Sequence, residues 1–221
     1  ALLPGLTLAD QTPYQIDELV ITGSRYQASG WQLPFSVNRI DAEQATLGKP
    51  GVNLSEALGS VPGLVVQNRQ NYAQDLQISS RGFGARSAFG IRGIKLLADG
   101  VPLSNPDGQG QAATFDLDTL ERIEVLRGPF ASVYGSNSGG VIQLFSRDGE
   151  GAPKVAVDTS QAAYGTSRTR VSAEGGNDKA GFIINRSHFE TDGYRDHSGA
   201  ILDKTFAKLT LYPDLSLIHI S

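Results

Sequence analysis

Three polar stretches, Asn68–Asp75, Phe83–Ile91 and Pro102–Gln111, carry the side chains best suited to holding a small molecule. They contain Arg69, Asn71, Tyr72, Arg86, Phe89, Asn105, Asp107 and Gln109. A guanidinium grips a carboxylate through two parallel hydrogen bonds, and an aromatic ring stacks on a planar ligand. The set therefore suits an anionic, planar ligand, with Arg86 on a carboxylate and Tyr72 or Phe89 against a ring. Ordinary solvated loops use the same residue types, and that is the competing reading.

Covalent and metal chemistry find no comparable support. The histidines His188, His197 and His219 have no metal-ligand spacing to one another, and no serine–histidine–aspartate set can be assembled. Asp116-x-Asp118 and Asn105-x-Asp107 lack the glutamate that closes an EF-hand loop, and a helix N-terminus is the simpler use of Asp116 and Asp118. Gly82-x-Gly84 has no third glycine at dinucleotide-binding spacing. Gly135–Gly140 has no Gly-Lys-Ser/Thr, so neither is a phosphate loop. The absence of cysteine excludes thiol catalysis, disulfides and zinc ribbons. The expectation is a protein that is not an enzyme and has no metal and no cofactor.

Composition narrows the class further. Of 221 residues, 39% are hydrophobic and 19% charged, with 26 glycines and a net charge of −4. This is too apolar for a disordered chain, and the scattered Lys and Arg leave no basic footprint for nucleic acid. No apolar run reaches the ~18 residues of a membrane-spanning helix, but the strands of an outer-membrane barrel hide their apolar residues by alternation. With no methionine, the N-terminus is expected to be processed or cut. Ala1–Ala9 reads either as the tail of a secretory signal or as a loose terminus.

The elements that must position these residues divide near Gly149–Pro153. Residues 1–16 lack periodicity, Asp17–Gly23 is a short β-branched extended segment, and Phe35–Ile40 predicts a strand. Asp41 and Gln44 predict a capped helix closed by Gly48. Asn53 and Glu56 predict a second, with Leu54, Ala57 and Leu58 on one face and Gly59 at its end. Strands follow at Leu64–Gln67, Leu76–Arg81, Ile94–Ala98, Glu121–Leu126 and Val141–Ser146. Beyond the break, Thr169, Val171 and Ala173 alternate with Arg168, Arg170, Ser172 and Glu174, and Ala207, Leu209 and Leu211 share one face. Turns at Tyr164–Thr166 and Gly176–Asp178 join antiparallel hairpins. The fold class is α+β, a small mixed sheet with short helices, followed by hairpins that fit either an outer-membrane barrel or a soluble sandwich.

Three groups of residues carry a family resemblance. Asp17-Glu-Leu-Val-Ile-Thr-Gly23 resembles a TonB box. Ile78-Ser-Ser-Arg-Gly-Phe-Gly84 with Leu97-Ala-Asp-Gly-Val-Pro-Leu103 resembles the middle of a receptor plug. Leu120-Glu-Arg-Ile-Glu-Val-Leu-Arg-Gly-Pro129, then Ser132-Val-Tyr-Gly135 and Gly139-Gly-Val-Ile142, resembles the plug's closing signature. In order and spacing, over residues 17–148, the chain resembles the TonB-dependent outer-membrane receptors. Asn53–Gly59, Val61–Asp75, Asn105–Gly110 and Gly193–Gly199 further resemble the subgroup implicated in uptake of pyrroloquinoline quinone.

The resemblance implies a domain order: a flexible tail at 1–16, a TonB box at 17–23, a plug at 24–150 and the first four or so barrel strands at 151–221. It implies that Asp17, Glu18, Leu19, Val20, Ile21, Thr22 and Gly23 add as a strand to periplasmic TonB, which works with ExbB-ExbD. It implies that Arg81 and Arg127, with Glu121 and Glu124 on the strand before, seat the plug against barrel-wall carboxylates. An ion network within the plug is the alternative. The three polar stretches become loops facing outward to a small-molecule ligand, and the hairpins' apolar side faces outer-membrane lipid of a Gram-negative bacterium. The implied function is active uptake of a scarce small molecule. Pyrroloquinoline quinone comes first, a ferric siderophore is the alternative, and a stand-alone plug-like binding module is a further one. About 70 residues follow the plug, enough for four or five strands, whereas a barrel needs at least ~8 and this family uses about 22. The chain is therefore expected to be truncated, with Leu215–Ser221 a non-native end and the arginines' wall partners beyond it, and unable to transport alone.

Overall fold

The computed structural model describes residues 20–21, 28–29, 36–68, 72, 75–87, 90–105, 109–128, 134–135 and 138–213. Asp17, Glu18, Leu19, Thr22, Gly23, Arg69, Asn71, Phe89 and Asp107 lie outside the described residues, as do 1–16 and 214–221. The chain forms two units, 1–34 and 35–221. In the first, β1 (Val20–Ile21) pairs antiparallel with β2 (Ala28–Ser29), Val20 opposite Ser29 and Ile21 opposite Ala28.

The second unit begins with β3 (Ser36–Asp41), which runs directly into α1 (Ala42–Thr46). Asp41 stands at the cap position but makes no capping bond, and its carboxylate accepts from Arg39 Nε at 2.7 Å. The expected cap is replaced by an ion pair because residues two apart on a strand share a face. α2 (Leu54–Leu58) starts as its sequence predicts. Glu56 turns back, with Oε1 accepting from the N–H of Asn53 at 3.0 Å and of Val52 at 3.2 Å, and Oε2 from Gly51 at 2.7 Å. One carboxylate thus satisfies three successive amides at the helix start. Leu54, Ala57 and Leu58 are buried.

β4 (Leu64–Gln67) and β5 (Gln77–Ser80) form a separate antiparallel ladder. β6 (Lys95–Ala98), β7 (Val101–Pro102), β8 (Leu120–Arg127) and β9 (Val141–Ser146) join β3 in a sheet ordered β3–β8–β9–β6–β7. Its pairs are antiparallel except β9 with β6. β8 and β9 are central and covered on both faces, so their buried residues are consecutive (Val125-Leu126, Val141-Ile142) rather than alternate. Leu120, Ile123, Ile142 and Leu144 join Ile40, Leu58, Ile78, Ile94 and Leu96 in one core. A register shift between Leu120 and Arg122 leaves Glu121 bulged out and exposed.

Beyond Gly149, β10 (Lys154–Ala162), β11 (Thr166–Gly176), β12 (Ala180–Thr191) and β13 (Ala200–Leu211) form an up-and-down antiparallel sheet in sequence order. The Thr166 N–H donates to the Ala163 carbonyl at 3.3 Å, and the two residues between, Tyr164 and Gly165, have φ of +60° and +62°. That is the twist a type I′ hairpin turn requires. Side chains alternate strictly: on β13 the odd residues from Ile201 to Leu211 are exposed and the even ones half-buried. Val155, Val157, Val171, Ile184, Leu209 and Leu211 are exposed, whereas Asn185, Ser187 and Thr191 are buried. The exposed face also carries Arg186, Glu190 and Asp203, and the covered one Ile183 and Phe189, but a row of exposed aliphatics opposite covered Asn, Ser and Thr is unlike a soluble sandwich and fits a barrel wall in lipid. The sheet is open, with β10 and β13 as its edges.

Candidate functional site

Tyr72 is half-buried, and its ring centroid lies 5.4 Å from that of Phe189 on β12, tilted by 50°. Burial first, and the nearby Glu56 carboxylate second, push its hydroxyl above the ordinary tyrosine value. The ring expected to stack on a ligand is thus engaged by the wall. Arg86 is exposed on a turn held from below by Gln77, whose Nε2 donates to the carbonyls of Ala85 at 2.7 Å and Ser87 at 3.2 Å. The turn is tight: Gly84 has φ +84°, and a Cβ there would sit 2.6 Å from the Arg92 carbonyl oxygen. The next loop is closed by the Asn105 N–H donating to the Gln109 carbonyl at 2.8 Å. Reciprocal bonds between Ile91 and Gly110, 3.0 and 2.7 Å, stitch these two loops side by side. Arg86, Asn105 and Gln109 therefore belong to joined loops, and the Tyr72 ring packs on the wall.

The four residues expected to seat the plug fall into two groups. Arg127 donates to the Pro62 carbonyl, to Asn38 Oδ1 and, at 3.1 Å, to Ser36 Oγ, while its Nε is buried without a partner. Burial, then the charge of Arg81, lower its pKa. Arg81 sits at φ +49°, its N–H on the Gly63 carbonyl at 3.2 Å and its side chain exposed. No carboxylate is among the partners of either arginine in the described residues. Glu121 and Glu124 lie elsewhere, both on Arg122: Oε1 of Glu121 is 2.6 Å from Nη1 and Oε1 of Glu124 is 3.0 Å from Nε. Arg122 in turn covers the Phe145 ring at 3.9 Å.

The contacts between plug and wall run through residues outside the expected set. Asp116 caps a 3₁₀ turn, Leu117–Thr119, that contains Asp118, and its Oδ1 accepts from the Asp118 N–H at 3.2 Å, as their helix-start reading expects. Their remaining oxygens go to the wall. Asp118 accepts from Arg168 Nη2 at 2.7 and 2.6 Å and from Arg170 Nη1 at 3.3 Å, and Asp116 accepts from Asn185 at 2.6 Å. Arg168 also donates to the Pro50 and Gly51 carbonyls, and Lys204 to that of Val52 at 3.2 Å. A second cluster forms just after β9. Lys208 Nζ lies 2.7 Å from Asp148, 2.9 Å from Ser146 Oγ and 3.6 Å from Asp99, whose carboxylate accepts from the Ser146 N–H and hydroxyl. Burial pushes the Asp148 carboxyl up, but hydrogen bonds from Lys208 and Thr210 outweigh it and hold it below the ordinary range. The sequence does offer a clue: Arg168, Arg170, Lys204 and Lys208 all occupy covered positions of alternating strands, and covered cations require anions.

Residues 29–142, over half of the chain, match the family described as TonB-dependent Receptor Plug Domain. The chain is 30% identical over 135 residues to the hemin receptor of Yersinia enterocolitica, covering 60% of this chain and 18% of that protein. It is 28% identical over 155 residues to the ferrienterobactin receptor of Escherichia coli, covering 63% of this chain and 20% of that protein. The pyoverdine outer membrane receptor FpvA of Pseudomonas aeruginosa superposes with a TM-score of 0.68 over 87% of this chain and 27% of that one. At 17% identity this last likeness concerns the fold alone. The chain spans between 18% and 27% of the lengths of these relatives. With its plug sequence matched over more than half its length, the chain belongs to the TonB-dependent receptors of the Gram-negative outer membrane, carrying their plug domain and four strands of an unclosed barrel wall.

Proposed function

We propose that the full-length protein is a receptor for TonB-dependent uptake of an iron chelate, a ferric siderophore or hemin, across the outer membrane. The observation that carries this reading is a folded plug domain, matched by its family, standing against the covered polar face of barrel strands. Such a plug closes a pore that is otherwise too wide to select. The ligand class is drawn from the relatives, named for hemin and ferrienterobactin. It displaces pyrroloquinoline quinone, the ligand implied by the loop resemblance, to second place. Arg86, Asn105 and Gln109 on the joined loops, with Arg69, Asn71, Tyr72, Phe89 and Asp107, form the proposed ligand surface. Residues 17–23 form the strand offered to TonB, driven by ExbB-ExbD, and the extended backbone at Val20–Ile21 supports it. The exposed apolar side of β10–β13 faces lipid.

Calorimetric titration of the full-length receptor with hemin, a ferric catecholate siderophore and pyrroloquinoline quinone tests the ligand class. Binding of an iron chelate is expected, and binding of the quinone alone reverses the order. In cells, Ile21→Pro removes a ladder donor and is expected to abolish uptake while receptor abundance stays unchanged. Normal uptake by that variant refutes the TonB-binding assignment.

A further inference from the structure

We propose that the plug is berthed on the first four wall strands by plug carboxylates gripped by wall cations, with Asp118 and Lys208 as the positioning residues. The seating expected of Arg81 and Arg127 has the opposite sign, and one pair of that sign, Arg147 on Glu174 of β11 at 3.2 Å, crosses the same boundary. Within the described residues two separate clusters cross the plug–wall boundary with the wall as donor. The Asp118 side chain is only 4% exposed and is held by two guanidiniums, one of them through both carboxylate oxygens. Arg168 extends the grip to the loop before α2 through the Pro50 carbonyl at 2.7 Å. Lys208, on β13, ties Asp148, just after β9, to Asp99 on the β6–β7 turn. The two clusters hold different parts of the plug, the 3₁₀ turn before β8 and the far end of β9, to different wall strands. Two anchors at separate points fix orientation as well as position, which one anchor does not. Neutralising either carboxylate or cation strands a covered charge, so the docked state loses free energy that the undocked, hydrated state does not.

The test reads closure of the pore as ion conductance of the purified full-length receptor in planar bilayers while urea is raised. This needs neither ligand nor TonB, so its outcome is independent of the uptake reading. Asp118→Asn, Asp118→Arg and Lys208→Gln are compared with Asp203→Asn, a change on the exposed face where Asp203 pairs with His188. The first three are expected to open at lower urea, with the open fraction at fixed urea raised about tenfold or more, and Asp203→Asn to match the parent. Asp118→Arg combined with Arg168→Asp is expected to recover part of the closure. If Asp118→Arg does not insert, the isosteric Asp118→Asn and the Lys208→Gln variants decide. Parental conductance in both of those, or equal opening in Asp203→Asn, overturns the berth.

Discussion

Glu121 and Glu124 bind the same arginine, and the structure separates what each contributes. Glu124 is 0% exposed in its side chain, Arg122 is 13% exposed, and Glu121 is 46% exposed. The cause is the bulge that turns Glu121 out of the β8–β9 ladder while Glu124, two residues beyond Arg122, stays inside it. Glu121→Gln breaks a hydrated pair, worth about 0–1 kcal/mol. Glu124→Gln takes the covered carboxylate away from a guanidinium that lies over the Phe145 ring and leaves it the solvent-exposed Glu121. The full penalty for breaking a buried pair is about 3–5 kcal/mol, and the surviving Glu121 contact reduces it to about 2–4 kcal/mol. Hydrogen exchange of the β8 and β9 amides in the full-length receptor reads this directly, because their opening requires the central sheet to separate. Glu124→Gln is expected to lower their protection by at least about thirtyfold and Glu121→Gln by less than about fivefold. Equal effects, or a larger one at Glu121, refute the argument that exposure sets the strength of these two pairs.

Two further outcomes follow from the geometry. Gly84→Ala is expected to destabilise the Arg86 loop by more than the about 1–2 kcal/mol of a left-handed alanine, since the new Cβ meets two carbonyl oxygens at 2.6 and 2.8 Å. Gly100→Ala, at φ +81° with open space around it, is expected to show only the conformational part, and thermal unfolding of the two variants makes the comparison. The Lys208–Asp148 anchor is depressed in pKa on the carboxylate side, so its stabilisation is complete above the ordinary carboxylate value near ~4 and is lost as pH falls through the lower folded value. Protection of the 147–150 amides is therefore expected to be flat above about pH 5 and to fall only below about pH 4. Thr210→Ala, by removing one of the bonds to Asp148, is expected to move that fall to higher pH.

The elements were legible because each had a local cause. The Glu56 box, the type I′ turn at Tyr164–Gly165 and the alternation along β11 and β13 depend on residues a few positions apart. Asp41 failed as a cap for an equally local reason, the arginine two residues before it. The inside-out character of the wall was not legible, because alternation is the same in a sandwich and only burial says which face is covered. The berth was hidden more deeply: Asp118 and Arg168 lie 50 residues apart, and nothing in either segment names the other. Asp116-x-Asp118 looked like a helix start, and it is one, yet that role uses only part of its oxygens. Tyr72 has the stacking chemistry its type suggests, and the structure uses it on Phe189.

The covered cations of β11 and β13 have a consequence for electrical behaviour once the plug leaves. Arg168, Arg170, Lys204 and Lys208 line one side of the wall, and the carboxylates facing Arg168, Lys204 and Lys208 belong to the plug, whereas Arg170 shares Asp118 of the plug with Asp158 of its own wall. A receptor emptied of its plug would therefore present Arg168, Lys204 and Lys208 stripped of their plug carboxylates along that side of the lumen, while Arg170 keeps Asp158 of β10. Low-dielectric walls focus such a field. The emptied pore should pass chloride in preference to potassium across a salt gradient, and its reversal potential should move toward the cation side when Arg168 and Arg170 are replaced by glutamine.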